Sequence, residues 1–113
     1  MSIPVVHVSL TPQQAAERLA RGEIELVDVR EADEWQDGHA PGARHIPLAE
    51  LASRLADVPR ECPIAFLCRS GGRSEVATEL ARRHGIEALD VDGGLLAWQR
   101  AGLDLTGDAK GTA

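Results

Sequence analysis

The sequence predicts a three-layer α/β domain, in which a mainly parallel sheet carries helices on both faces. Short apolar runs alternate with helix-like segments, turn residues separate them, and 43% of the 113 residues are hydrophobic. Alternating strands and helices require crossover connections, which produce parallel sheets covered on both sides. This length suits a single domain with one real core. We place the domain at residues 1–105 and expect the small, polar residues 106–113 to form a flexible C-terminal tail.

The first helix has the clearest local signal. Thr11 is its predicted N-cap, Pro12 its first residue and Gln14 the partner that closes a capping box. Gly22 is predicted to end it.

The other elements follow from apolar runs and from the turn residues between them. Strands are predicted at residues 5–8, 25–29, 43–46, 63–67 and 88–91. Further helices are predicted at residues 31–36, 47–55, 74–84 and 95–100. In such sheets ligands bind at the carboxyl ends of the strands. Cys68 and Arg30 both lie at such strand ends.

Charge and hydropathy argue against several classes of partner. The formal net charge is −6, and seven carboxylates face the single base Arg30 between Glu23 and Asp37. Nucleic acids and anionic membranes require a basic face, so we expect neither partner, and the acidic run is interpreted as a solvated surface. No apolar stretch has membrane-spanning length and no signal-peptide pattern opens the chain, which predicts a cytoplasmic protein.

The two cysteines predict neither a disulfide nor a metal site. An extended strand between Cys62 and Cys68 would hold them roughly 20 Å apart, whereas a disulfide requires about 7 Å or less. No Cys–His set with zinc-ligand spacing accompanies them. We therefore expect no metal and no cofactor, and interpret Cys62 as a small buried or edge residue.

The segment from Cys68 to Ser74 carries the strongest chemical signal. It reads Cys-Arg-Ser-Gly-Gly-Arg-Ser and lies between the predicted strand 63–67 and a helix. A strand end, a glycine-rich turn and a helix start together predict a cradle of backbone N–H groups around the sulfur. This cradle and the two arginines favour the thiolate, which is the nucleophilic form of cysteine. Cys68 is therefore the predicted catalytic nucleophile, and we expect an exposed thiolate.

The rest of this loop is predicted to bind substrate. The candidates are Arg69, Ser70, Gly71, Gly72, Arg73 and Ser74. Arg69 is expected to point outward, toward the oxygens of a donor or toward a partner, whereas Arg73 either binds the donor or locks the loop to a neighbouring carboxylate. The two glycines permit close approach and positive φ. Ser74 is predicted to be the N-cap of the next helix, with its hydroxyl toward the reactive sulfur.

Several residues outside the loop receive structural interpretations. Asp28 and Arg30 are predicted to pair at a strand end, although Arg30 facing the pocket is the alternative. His39 lies in the Gly-Pro turn and is expected to hydrogen-bond locally rather than act as a base. Trp35 and Trp98 are interpreted as packing anchors.

Four segments in order resemble the signatures of the rhodanese family, whose members are thiosulfate-type sulfurtransferases. They are Asp28-Val29-Arg30 with Glu34-Trp35, Gly38-His39-Ala40-Pro41-Gly42-Ala43 with Ile46-Pro47, the loop from Cys68 to Ser74, and Asp92-Gly93-Gly94 with Ala97-Trp98. The resemblance implies a five-stranded parallel α/β domain and a persulfide intermediate on Cys68. It further implies transfer of sulfane sulfur from a small anionic donor such as thiosulfate to cyanide, or to a protein or low-molecular-weight thiol.

Two other functions compete with a free sulfurtransferase. A sulfur-carrier module would take persulfide from a partner protein, and the sequence does not separate it from the enzyme. A phosphatase of the Cdc25-like kind, or an arsenate reductase, also uses a cysteine in an N–H cradle, but its loop places five residues between cysteine and arginine. Here only four separate Cys68 from Arg73, which suits a single sulfur atom better than a tetrahedral phosphate.

Overall fold

The computed structural model of the protein describes residues 9–106, in which five strands and five α-helices alternate along the chain. In chain order these are β1 (Ser9–Leu10), α1 (Pro12–Ala20), β2 (Glu25–Asp28), α2 (Ala32–Gln36), β3 (Arg44–His45), α3 (Leu48–Arg54), β4 (Ile64–Leu67), α4 (Gly72–Arg83), β5 (Ala88–Val91) and α5 (Gly94–Arg100). A 3₁₀ turn, Leu55–Asp57, extends α3. All strand pairs are parallel, in the order β1-β5-β4-β2-β3. The predicted parallel five-stranded α/β fold is confirmed.

The sheet separates two apolar cores because successive side chains of a strand point to opposite faces. In the central strand β4, Ile64 and Phe66 join the core beneath α3 and α4, whereas Ala65 and Leu67 join the core beneath α1 and α5. All four are fully buried. A strand buried on both faces reads as a continuous apolar run, which is how its sequence appears.

Local hydrogen bonds place the start of α1 where the sequence predicts it. The Thr11 hydroxyl accepts the backbone N–H of Gln14, and the Gln14 side chain accepts the N–H of Thr11 in return. The predicted capping box is confirmed.

The ends of the chain are described only in part. The strand predicted at residues 5–8 lies outside the described residues, and the first strand described is β1. Thr106, the first residue of the predicted tail, forms an antiparallel bridge with His39, with N···O distances of 2.7 and 2.8 Å. The tail therefore begins after Thr106 at the earliest, and its flexibility stays a prediction for residues 107–113. Between residues 9 and 106, no helix combines the length and apolarity that a bilayer crossing requires.

Candidate active site

The loop from Cys68 to Gly71 lies at the carboxyl edge of the sheet, between the central strand β4 and helix α4. Cys68 directly follows Leu67, the last residue of β4, and Gly71 is the N-cap of α4. Leu67 pairs with Asp28 of β2, so the end of β2 lies beside the loop. The chain thus brings Cys68 to the amino end of a 12-residue helix, where the helix dipole favours negative charge.

Two groups of the loop contact the Cys68 sulfur. The Gly71 N–H donates to Sγ with an N···S distance of 3.0 Å, and the Cys68 thiol donates to the Ser74 hydroxyl oxygen at 3.4 Å. The Ser74 hydroxyl donates in turn to the Gly71 carbonyl at 3.0 Å. The sequence predicted that several N–H groups of the loop face the sulfur. Among the described residues, the Gly71 N–H is the backbone group that hydrogen-bonds Sγ.

The sulfur is buried, contrary to the exposed thiolate that the sequence suggested. Cys68 is 1% exposed and belongs to the core cluster under α3 and α4. The reason is the strand geometry, because Cys68 continues the alternation of β4 and points to the same face as Phe66. A reagent must therefore reach Sγ past the groups that bury it rather than over an open surface.

The prediction that Ser74 caps α4 is wrong. The helix begins two residues earlier, at Gly72, with Gly71 as its N-cap at φ 120°. Only glycine adopts such a φ readily, so the chain turns into the helix at Gly71 and carries Ser74 into the first turn. Ser74 is fully buried there. The other part of the prediction agrees with the structure, since the Ser74 hydroxyl does lie against the Cys68 sulfur.

Arg73 forms a bidentate ion pair with Glu34 of α2. Its Nη1 and Nη2 lie 2.6 and 2.9 Å from the two carboxylate oxygens. Hydrogen bonding to Arg73 is the main reason that the pKa of Glu34 falls to about 2, and the same bond raises the pKa of Arg73. Of the two roles left open for Arg73, the structure therefore has it locking the loop to a neighbouring carboxylate.

The start of α5 holds the backbone on the other side of the loop. The N–H groups of Leu95 and Leu96 donate to the carbonyls of Cys68 and Arg69, at 2.7 and 3.0 Å. Gly94 makes this approach possible, because a Cβ at that position would lie 2.5 Å from the Cys68 carbonyl oxygen. Its φ of 61° is a second reason for glycine. Sequence reasoning missed this contact and did not name Glu34 as the carboxylate that pairs with Arg73, since in both cases the partners lie far apart in the chain.

The outer residues of the loop remain open to solvent. Arg69 and Ser70 are exposed, as is Gly72 at the helix start. Arg69 also borders a cavity of about 250 Å³ that lies between α2, α5 and the loop. The outward direction predicted for Arg69 therefore agrees with the structure.

Asp28 and Arg30 form the expected pair beside this cavity. Arg30 Nε and Nη2 donate to the Asp28 carboxylate at 3.0 and 2.8 Å, and both side chains are almost wholly buried. Arg30 also donates to the carbonyls of Glu34 and Gly38, which ties the strand end to α2 and its following turn. Arg30 also lines the cavity. It therefore combines the two interpretations given for it, pairing with Asp28 and facing a pocket.

The aromatic residues near the site pack as predicted. His39 bonds the Trp35 carbonyl through Nδ1 at 2.9 Å and stacks on the Trp35 ring, with centroids 3.5 Å apart. His45 stacks on the same ring at 4.9 Å. Trp98 is buried in the core under α1 and α5, and its indole N–H donates to the Asp104 carbonyl at 3.0 Å.

Cys62 lies at the opposite edge of the sheet, before β4, and does not approach the loop. Both cysteines are free thiols. Partial burial is the main cause that raises the pKa of Cys62, and the negative charges of Glu25 and Glu61 raise it further. The raised pKa keeps Cys62 in the unreactive thiol form. Within residues 9–106, no group of three or more His, Cys, Asp and Glu side chains is arranged to hold a metal ion.

A protein-family model for the rhodanese-like domain matches residues 11–101 of the chain. The chain belongs to the rhodanese-like domain family. The resemblance drawn from the four sequence segments is thereby confirmed at the level of the family, and the loop with Cys68 lies inside the matched range.

Two relatives and one solved structure illustrate what the chain is similar to. It is 41% identical over 97 residues to a Mycobacterium tuberculosis protein named "HTH-type transcriptional regulator Rv0324", covering 84% of this chain and 43% of that protein. It is 32% identical over 77 residues to "Putative sulfurtransferase YtwF" of Bacillus subtilis, covering 68% of this chain and 75% of the relative. A crystal structure of a rhodanese-related protein from Thermoplasma volcanium superposes with a TM-score of 0.82 at 27% identity, covering 89% of this chain and 99% of the other.

Proposed function

We propose that this domain is a sulfurtransferase that carries sulfane sulfur as a persulfide on Cys68. The observation that carries the proposal is the hydrogen bond from the Gly71 N–H to Cys68 Sγ, at 3.0 Å, at the start of α4. A sulfur atom in this position is stabilised as an anion both by the N–H donor and by the helix end. The B. subtilis relative, whose name describes a sulfurtransferase, supports the same class of chemistry.

In the first step the Cys68 thiolate attacks the outer sulfur of a donor such as thiosulfate. A bond forms between Sγ and that sulfur, the S–S bond of thiosulfate breaks, and its electron pair leaves with sulfite. Because Cys68 is 1% exposed, the donor must present its reactive sulfur as a projecting terminal atom, as thiosulfate does. Arg69 is the exposed loop cation that can bind the oxygens of the donor as sulfite forms.

The persulfide is then held by the groups that now contact the thiol. The Gly71 N–H stays hydrogen-bonded to the inner sulfur, where it stabilises the negative charge that returns to Sγ when the S–S bond breaks, in the way that an oxyanion hole stabilises oxygen. The Ser74 hydroxyl now donates to the Gly71 carbonyl, and rotation about its C–O bond turns the same hydrogen toward sulfur once the thiol proton is gone. Arg73 and Glu34 keep the loop in place and do not contact the sulfur themselves.

In the second step a nucleophile removes the outer sulfur. Cyanide attacks that atom, the S–S bond to Sγ breaks, the electron pair returns to Cys68, and thiocyanate leaves. A thiolate acceptor reacts in the same way and leaves as a persulfide. Two half-reactions on one enzyme nucleophile predict ping-pong kinetics.

A second candidate is a sulfur-carrier module that receives persulfide from a partner protein. The burial of Cys68 favours it, because a buried sulfur reacts slowly with free small molecules, whereas docking of a partner protein can displace the groups that cover it. The M. tuberculosis relative adds support, since its name describes a transcriptional regulator and the chain spans 43% of its length. The phosphatase reading stays disfavoured on the four-residue spacing between Cys68 and Arg73.

Intact mass after incubation with thiosulfate tests the proposal. We expect wild type and Cys62→Ser to gain one sulfur atom, Cys68→Ala to gain none, and cyanide to remove the sulfur with formation of thiocyanate. Cys62→Ser is the matched control because it removes the other free thiol, far from the loop. Loading of Cys68 by a persulfidated protein but not by thiosulfate would favour the carrier. Failure with both donors, on a thiol shown to be reduced, would contradict sulfur transfer.

A further inference from the structure

Arg73 is the arginine that lies on the same side of the sheet as the Cys68 sulfur. It belongs to the first turn of α4, and Cys68 is part of the core beneath α3 and α4. The next residue, Ser74, contacts Sγ with its hydroxyl, and the N-cap Gly71 contacts Sγ with its N–H. Hydrogen bonding to Glu34 is the main cause that raises the pKa of Arg73, and negative charge on Cys68 contributes to the same shift. The guanidinium is therefore near enough for its charge to act on a donor that reaches the sulfur.

Glu34 neutralises this arginine. Its two carboxylate oxygens accept hydrogen bonds from both Nη groups of Arg73, at 2.6 and 2.9 Å, and the two side chains are 25% and 35% exposed. Because this hydrogen bonding lowers the pKa of Glu34 to about 2, its carboxylate stays ionised at neutral pH. Glu31 adds a second negative charge near the guanidinium. Arg73 therefore presents little net positive charge to a ligand.

The other charges at this edge of the sheet do not compensate for the loss of that cation. Arg69 is exposed and forms an ion pair with no residue from 9 to 106, whereas Arg30 is neutralised by Asp28. Helix α2, which follows β2 at this edge, carries Asp33 and ends at Asp37, and both residues are exposed. The amino end of α4 adds a partial positive charge. A donor with two negative charges therefore meets one unpaired arginine in an acidic neighbourhood.

We propose that Glu34 determines donor selectivity, shifting it from thiosulfate toward hydropersulfides, R–S–SH. By holding Arg73, Glu34 withholds a second guanidinium from the oxygens of the thiosulfate dianion. A hydropersulfide carries at most one negative charge on its terminal sulfur and has no oxyanion, so it loses nothing when Arg73 is occupied. Both donors end in a projecting sulfur atom, which the burial of Cys68 requires, and they differ in charge. This inference rests on the proposed sulfur transfer, because selectivity between donors requires a loading step.

Loading from a hydropersulfide needs no other reactant. The Cys68 thiolate attacks the terminal sulfur of the donor, a bond forms between Sγ and that sulfur, and the S–S bond of the donor breaks. Its electron pair leaves with the thiolate R–S⁻. The hydrogen of the donor stays on the transferred sulfur and passes to solvent when the new persulfide ionises, and no oxidant or reductant is consumed.

The donor selectivity of Glu34→Gln tests this role. The loading of reduced Cys68 is followed by intact mass with two donors, thiosulfate and 2-hydroxyethyl hydropersulfide, and the selectivity is the ratio of their second-order rate constants. Release of Arg73 should raise this ratio in favour of thiosulfate by about fivefold, which corresponds to the upper value for an exposed ion pair. In turnover with cyanide, the gain should appear as a lower KM for thiosulfate at unchanged kcat.

A purely structural role for Glu34 predicts a different result. If the pair with Arg73 only holds the loop in place, Glu34→Gln should slow loading from both donors by the same factor and leave the selectivity at its wild-type value, and this outcome would overturn the proposal. The ratio compares two donors on the same protein sample. A fraction of unfolded protein lowers both rates equally and does not change it.

Two further variants assign the gain to the charge of Arg73. The double variant Glu34→Gln/Arg73→Gln lacks the released cation, so its selectivity should fall back to the wild-type value, and a gain that persists there would contradict the proposal. Asp33→Asn is the matched control, because it removes one negative charge from an exposed position of α2 outside the pair. A gain with Asp33→Asn equal to that with Glu34→Gln would mean that net charge alone is responsible, against a specific role of Glu34. If Cys68 takes up sulfur from neither donor, the proposed function fails, whereas a loaded protein with unchanged selectivity in Glu34→Gln refutes only this inference.

Discussion

Replacing Gly94 by alanine should displace the Cys68 loop, because this glycine packs directly on the loop backbone. A Cβ at position 94 would lie 2.5 Å from the Cys68 carbonyl oxygen and 2.6 Å from the Arg69 carbonyl carbon and oxygen. All three atoms are backbone, so no side-chain rotation relieves the overlap. Restoring an ordinary contact of roughly 3.5 Å requires the loop and α5 to separate by about 1 Å.

That separation has a definite energetic cost. The hydrogen bonds from Leu95 and Leu96 to the loop, 2.7 and 3.0 Å long, would stretch beyond bonding distance, at about 1 kcal/mol each. Alanine at the φ of 61° adds about 1–2 kcal/mol. The unfolded chain loses some entropy with alanine, which offsets about 0.5 kcal/mol. The expected net loss is about 3 kcal/mol of unfolding free energy.

Gly85→Ala isolates the effect of the overlap. Gly85 has a similar φ of 76°, but a Cβ there meets nothing within 4 Å, so this variant carries only the backbone penalty. In urea unfolding, the free energy of unfolding of Gly94→Ala should be about 2 kcal/mol lower than that of Gly85→Ala, which is the contribution of the two lost hydrogen bonds.

The loading rate of Cys68 gives a second measurement on the same pair of variants. In protein that is still folded, persulfide formation by Gly94→Ala should slow by about 100-fold, since a 1 Å displacement of reacting groups has effects of that size. Gly85→Ala should load at the wild-type rate. Equal stability and equal loading of the two variants would refute the inference that Gly94 positions the loop.

Two further predictions concern the ion pairs around the site. The Glu34–Arg73 pair should contribute about 1 kcal/mol after allowance for solvent screening. Because the Glu34 pKa is lowered from 4.5 to about 2, this contribution is complete above pH 4.5 and lost as the pH falls toward 2. The difference in unfolding free energy between wild type and Glu34→Gln should therefore shrink between pH 5 and pH 3, and a difference that stays constant would contradict this linkage. Asp28→Ala should cost about 3–5 kcal/mol, because it leaves Arg30 buried without its carboxylate. The control Glu25→Ala, which breaks the exposed pair with Arg44, should cost less than about 1 kcal/mol in the same urea titration, and equal losses would argue against burial as the cause.

Features that depend on neighbouring residues were predicted well. The capping box of α1 needs only the contacts between Thr11 and Gln14, which are three positions apart. The local hydrogen bond of His39 to the Trp35 carbonyl and the pairing of Asp28 with Arg30 likewise join residues within four positions. The boundary of α4 shows where local reasoning fails. Ser74 is a good N-cap by residue type, but the positive φ at Gly71 turns the chain into the helix first.

The composition, the alternation of strand and helix patterns and the four ordered segments were sufficient to determine the α/β class, the family and the position of Cys68 at a strand end. These properties depend on residue types and short spacings, which are read directly along the chain. Only the tertiary structure decided that Cys68 is buried, that Arg73 binds Glu34, and that Gly94 allows α5 to hold the loop. The contacts of Arg73 and Gly94 join elements that lie 20 or more positions apart and meet at one edge of the sheet. The strand alternation sets the face to which Cys68 points, but its burial also requires α3 and α4 to pack on that face. Such distances are set by how helices pack on the sheet, and no local pattern in the sequence encodes them.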